Sequence, residues 1–201
     1  MKGLLKKDLL LLKQQKKYIL IIFIISMIVA YGNSQSSFIA SYLTFLGTGL
    51  IFNSFSYDTY QNGLTYLFAL PFTKKDYVKE KYIYALFITI CCWLSGNIIS
   101  FIFSHFMISQ ETLFSNLMIL MIAALYLSII MPINIKYGRE KSSMIIIIIL
   151  LLVSLAFFQF IDLNNLSIPL VPLMIGMLIV AIILYLFSYH QSISILNHKE
   201  L

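Results

Sequence analysis

Six apolar runs, none containing an Asp, Glu, Lys or Arg, divide this 201-residue chain at 18–31, 38–55, 82–106, 113–131, 144–161 and 168–189. A helix needs about 20 residues to cross roughly 30 Å of hydrocarbon, and five of the runs meet or approach that length. The first is shorter, and Lys13, Lys16 and Lys17 before it can reach the headgroups and lend it a turn. With 60% hydrophobic and 11% charged residues, the chain carries more apolar surface than a globule of this size can hide. The expected fold is therefore all-α: a polytopic membrane protein with six transmembrane helices.

The cations set the orientation. Lys2, Lys6, Lys7, Lys13, Lys16 and Lys17 precede the first run, and Lys74, Lys75, Lys79 and Lys81 lie between the second and third. Lys136, Arg139 and Lys141 lie between the fourth and fifth, and Lys199 follows the sixth. These are all 14 Lys and Arg residues, and the three opposite connections carry only the acids Glu111 and Asp162. By the positive-inside rule both termini and the two longer loops are expected in the cytoplasm, with the protein multi-pass in the cell membrane. The net charge of +6 then serves topology and the anionic inner leaflet, not nucleic acid. The outer turns, near 32–37, 108–112 and 162–167, are too short for an external domain. Pro169 and Pro172 fall in the first turns of the last run, where a missing amide donor costs least.

Catalytic and metal signatures are missing from the sequence. Uncharged runs argue against a proton-coupled transporter or an intramembrane protease. There is no HExxH and no paired carboxylate, and His105, His190 and His198 stand near run boundaries. Cys91 and Cys92 read as packed free thiols. The basic N-terminal stretch is too long and Leu-rich for a signal peptide, and five further runs follow it. The expectation is no enzyme, no cofactor and no metal.

Small residues recur at helix-packing spacing: Ala40, Thr44 and Thr48; Gly96 and Ser100; Ala124 and Ser128. Packing within the six-helix unit is the favoured reading, with a subunit interface as the other. Gly47-Thr48-Gly49 and Ser95-Gly96-Asn97 are flexible or polar points, and Asn97, deep in a run, needs a partner. Residues 1–18 form an imperfect amphipathic pattern, with Lys2, Lys6, Lys13 and Lys17 on one stripe, which suits an N-terminal interfacial helix. The longest non-membrane stretch, 56–81, starts polar, becomes amphipathic at Leu64, Leu67 and Phe68 and breaks at Pro71. Thr73-Lys74-Lys75-Asp76 then resembles a capping box opening a helix through Tyr77 and Tyr82. Tyrosines 57, 60, 66 and 77 could alternatively hold this stretch as a plain interfacial loop.

The stretch ALPFTKKDYVKEKYIYALF, residues 69–87, resembles the region between the second and third helices of small ABC-2 type transporter permeases, at Leu70, Pro71, Thr73, Lys74, Lys75, Tyr77, Val78, Lys81 and Tyr82. KYGREKSSMIIIII, residues 136–149, and the Lys7-Asp8 pair before the first run are also similar to that family. Within the family the likeness leans toward staphylococcal-type permeases that export phenol-soluble modulins, which are amphipathic toxin peptides. The resemblance implies a single ABC-2 transmembrane domain over 1–201 and a permease without its own motor, since no GxxxxGK[ST] phosphate loop occurs. It implies a separate ABC ATPase subunit and a second permease chain, as homodimer or heterodimer, with membrane lipids around them. It places the cytoplasmic coupling element between helices 2 and 3, at Leu70, Pro71, Phe72, Thr73, Lys74, Lys75, Asp76 and Tyr77, with Lys136, Gly138, Arg139 and Glu140 as a possible second contact. Export of amphipathic peptides or other toxic compounds follows as the expected function. The alternative is a non-transporting protein such as a peptide-toxin immunity factor.

Overall fold

In the computed structural model, residues 2–32, 36–60, 63–103, 110–160 and 170–199 are described, and all of their regular structure is helical. The order is α1 (Lys2–Gln14), α2 (Lys16–Gly32), α3 (Ser36–Thr59), α4 (Gly63–Phe68), α5 (Lys74–Phe103), α6 (Gln110–Phe160) and α7 (Leu170–Asn197). Three stretches are long and apolar enough to cross a membrane among the described residues: Lys74–Ile102, Phe114–Gly138 and Met174–Asn197. Their outward faces stay apolar. On α7 alone Ile175, Ile179, Ile182, Ile183, Leu186 and Phe187 are exposed, as a helix facing lipid requires. The expected outer turns fall largely outside the described residues, as do His105 and Pro169.

The core is built on α3 against α5, with α6 packed on α3 and α7 on α6. Leu50, Ile51 and Phe55 of α3 meet Tyr77, Tyr84 and Ile88 of α5, and Leu127, Met131 and Ile135 of α6 complete the cluster. Small residues let the backbones approach. A Cβ at Gly96 would lie 2.9 Å from Ala40 Cα, and one at Gly47 would lie 2.8 Å from Cys92 Cβ. Ala40, Thr44 and Thr48 are buried, and the Thr44 hydroxyl donates to Ala40 O at 2.6 Å and the Thr48 hydroxyl to Phe45 O at 2.6 Å. Among the described residues, the Ala40 stripe and Gly96 therefore pack inside the chain.

Two sets of deep polar groups are paired between helices, since hydrocarbon offers them no water. Asn116 Nδ2 donates to Asn97 Oδ1 at 2.7 Å, Asn97 Nδ2 to Trp93 O at 2.8 Å, and Trp93 Nε1 to Asn116 O at 2.8 Å. This triangle ties α5 to α6 and supplies the partner that Asn97 requires. Tyr82 ties α5 to α7, its hydroxyl lying 2.6 Å from Ser188 Oγ and 2.7 Å from Ser192 Oγ. Cys91 and Cys92 are free thiols.

One expectation needs correction. Residues 134–142, read from the sequence as a loop between two helices, are helical except at Gly138, where φ 72° and ψ 175° break α6. Asn134 and Ser142 hydrogen-bond across that break. α5 begins at Lys74, where the Thr73 cap expected from the sequence places it, and α7 runs past its apolar stretch to Asn197. Hydropathy marks where lipid is, whereas backbone hydrogen bonding continues through polar residues beyond it.

Candidate functional site

The stretch joining α3 to α5 is a short, sharply turned knuckle. α4 ends at Phe68, Leu70 N donates to Leu67 O, and Phe72 N donates to Leu70 O at 2.7 Å around Pro71. The cap expected at Thr73 is formed: Asp76 N donates to Thr73 Oγ1 at 3.1 Å, and Thr73 Oγ1 donates to Asp76 Oδ2 at 2.7 Å. The reciprocal exchange satisfies donors at the start of α5 and fixes the angle at which the knuckle leaves it. Leu70, Pro71, Thr73 and Lys75 are exposed, while Phe72, Lys74 and Asp76 are half-buried. Exposed Leu70 beside Pro71, on a braced turn, forms an apolar tip.

Tyr77 is different. It is 2% exposed, and its hydroxyl donates to Asp58 Oδ2 at 3.1 Å. It cannot touch a partner, and it anchors the knuckle to the end of α3. Behind it lies a buried charge cluster that the sequence reading missed. Lys81 Nζ of α5 lies 2.6 Å from Asp8 Oδ2 of α1 and 2.7 Å from Asp58 Oδ2 of α3, with all three side chains buried. Ser54 Oγ donates to Asp8 Oδ2 at 2.7 Å, Lys81 also meets Ser54, and Lys7 pairs with Asp58. Burial pushes the Asp8 carboxyl up, but the charges of Lys81 and Lys7 and the hydrogen bonds from Lys81 and Ser54 outweigh it. The carboxyl is held below its ordinary value of 3.8. Glu80 is fully buried too, its carboxyl beside that of Asp8. Lysines and acids in flanking segments read from the sequence as solvated or topological charges. Only spacing across three elements could reveal that Asp8, Asp58 and Lys81 meet.

α1 is packed into the body of the protein. It is separated from α2 by a turn at Gln15, buries Leu4 and Asp8, and brings Gly3 against Phe72 of the knuckle. One cluster joins α1, α3 and α5 directly behind Leu70–Asp76, so a push on the knuckle meets three helices at once.

The second set of expected contacts is more dispersed. Lys136 is exposed, its ammonium 5.0 Å from the Tyr137 ring centroid, and Gly138 sits at the break of α6 near Thr59. The side chains of Arg139 and Glu140 lie outside the described residues. No cluster of His, Cys, Asp and Glu able to hold a metal occurs among the described residues.

An apolar cavity of about 440 Å³ opens between α3 and α6, lined by Tyr42, Phe45, Ile119, Ile122 and Tyr126, with the Thr44 and Thr48 positions at its floor. Helical, membrane-spanning and braced around a turned knuckle, the chain matches the family described as ABC-2 family transporter protein over residues 3–197.

The chain belongs to the ABC-2 transporter family.

No curated protein and no solved structure matches it. Members of the ABC-2 family are the membrane components of ABC transporters, generally without catalysis of their own, and work with an ABC ATPase subunit. The apolar outer faces and the three spanning stretches agree with that membrane role.

Proposed function

We propose that this chain is the permease subunit of an ATP-driven exporter whose ATPase docks on the knuckle formed by Leu70, Pro71, Phe72, Thr73, Lys74, Lys75 and Asp76. The observation that carries the proposal is the pairing of an exposed, capped tip with the buried Asp8–Lys81–Asp58 cluster behind it. A switch driven by a ligand needs a contact that differs between two states and a stiff element to pass the difference on. The tip supplies the first and the three joined helices the second. The face around Lys136 and Gly138 is a second contact. Six crossings, both ends in the cytoplasm, and a second permease chain as partner complete the reading. Amphipathic peptides, like those handled by the staphylococcal permeases, are the proposed cargo, and the apolar cavity between α3 and α6 supports an apolar-faced substrate.

Replacing Pro71 and Phe72 together by Asp tests the docking face. The variant should still insert in the membrane, yet lose ATPase co-purification and at least about tenfold in peptide export, because the apolar tip then carries two charges. Unchanged export would place the coupling elsewhere.

A further inference from the structure

Near the end of α7, two cavities share Lys136 and Ile195 and together form one groove along the seam with α6. The upper part, about 440 Å³, is lined by Ile129, Ile133, Leu184 and Phe187, with Ser188 and Gln191 toward its polar end. The lower part, about 390 Å³, is lined by Lys136, Ser194, His198 and Lys199. The groove is therefore apolar where the two helices cross the membrane, in Phe114–Gly138 and Met174–Asn197, and cationic where they leave it.

Among the described residues, the cations at that end are held but not neutralised. Lys199 Nζ donates to Ile135 O at 3.1 Å, and Lys74 Nζ donates to Lys199 O at 3.2 Å. Among the described residues, none of Lys74, Lys136 or Lys199 forms an ion pair; the four ion pairs there all belong to Lys7 and Lys81. Burial pushes the Lys199 ammonium below its ordinary value, the mark of a cation partly stripped of water without an anion to replace it. From Ile129 to Lys136 the groove follows seven residues of helix, roughly 10 Å at 1.5 Å per residue, a length that suits part of an acyl chain.

We infer that the α6–α7 groove binds an anionic phospholipid, with its phosphate among Lys136, His198 and Lys199 and one acyl chain along Ile129, Ile133 and Phe187. The medium at the mouth of the apolar half is hydrocarbon, and the charge at the other end matches an anionic leaflet. A zwitterionic lipid meets the same groove with a compensated headgroup and binds it less. Lys136 also belongs to the second proposed ATPase contact, and Lys74 of the knuckle reaches Lys199 O, but lipid retention is read on the chain alone and does not depend on ATPase docking.

The test is native mass spectrometry of the full chain equilibrated with equimolar phosphatidylglycerol and phosphatidylcholine of matched chains. Phosphatidylglycerol should be retained in preference, and the preference should fall roughly fivefold for each lysine replaced in Lys136→Gln and Lys199→Gln, about 1 kcal/mol per cation near a charged membrane surface. Ile133→Trp fills the apolar half and leaves the charges in place, so it should also reduce phosphatidylglycerol retention and keeps the test decisive if a lysine variant fails to fold. Soluble glycerol phosphate separates the two sources of the anion. It should fail to displace the lipid at millimolar concentration, and full displacement would mean a bare phosphate site. Equal retention of the two lipids, or retention by Ile133→Trp at the parent level, would overturn the inference.

Discussion

At the residue scale, the decisive group is Lys81. Isolated buried charges are costly, and this one is tolerated because Asp8 and Asp58 both reach it and Ser54 fills a remaining donor direction. Removing one partner of such a cluster leaves the rest undercompensated, so Asp8→Asn should lower stability by about 2 kcal/mol, the range for hydrogen bonds to charged groups. Its pH dependence follows from the lowered Asp8 value. The stabilisation is complete above the unfolded-state value near 3.8 and is lost as pH falls through the still lower folded-state value. Thermal melting in detergent from neutral to acid pH should therefore show a shallower acid decline for Asp8→Asn than for the parent. Parallel declines would remove Asp8 from the clamp. Nothing in the local sequence around Asp8 announces this role. A Lys-Asp pair among leucines looks like surface chemistry until α3 and α5 close over it.

At the scale of elements, α5 and α6 show why helix ends are hard to place from hydropathy. The Thr73 cap was readable because a capping exchange is local: a hydroxyl and a carboxylate three residues apart are enough. The break in α6 was harder. Asn134, Lys136, Arg139 and Glu140 suggest a polar loop, yet the helix persists on both sides of one residue. Gly138 takes a conformation that is nearly exclusive to glycine, although a Cβ would meet Thr59 Cγ2 at an unstrained 3.7 Å. Gly138→Ala should therefore act through the backbone and cost about 1–3 kcal/mol, seen as a lower melting temperature with the fold otherwise retained. A melting temperature equal to that of the parent would show that α6 has no need of that geometry. The stripes of small residues were legible as packing surfaces, but only the contact of Gly96 with Ala40 shows which helices they join.

At the scale of the whole molecule, the all-helical membrane body and the family were visible early, because both depend on features spread along the chain. Apolar runs need lipid, and the family match extends over residues 3–197. The proposed topology makes a direct prediction. With Cys91 and Cys92 replaced by Ser, a cysteine placed beside Glu111 or Asp162 should react with an impermeant thiol reagent on intact cells. Lys75→Cys should react only after permeabilisation. Labelling of Lys75→Cys from outside would invert the molecule, and with it the docking face and the cationic end of the lipid groove.

The chain's own order of residues determined its solvent, since lipid is the medium that accepts long uncharged runs, and it determined the start of α5 through a local cap. What tertiary structure decided is how charges far apart in the chain combine: Asp8, Asp58 and Lys81 lie in three helices and form one buried clamp, while Lys136 and Lys199 edge a groove and, among the described residues, meet no acid. The physical reason is range. Hydropathy and capping act over a few residues, whereas an ion pair exists only after the backbone has brought its two ends within about 4 Å, where a buried charge is either compensated or left seeking an anion.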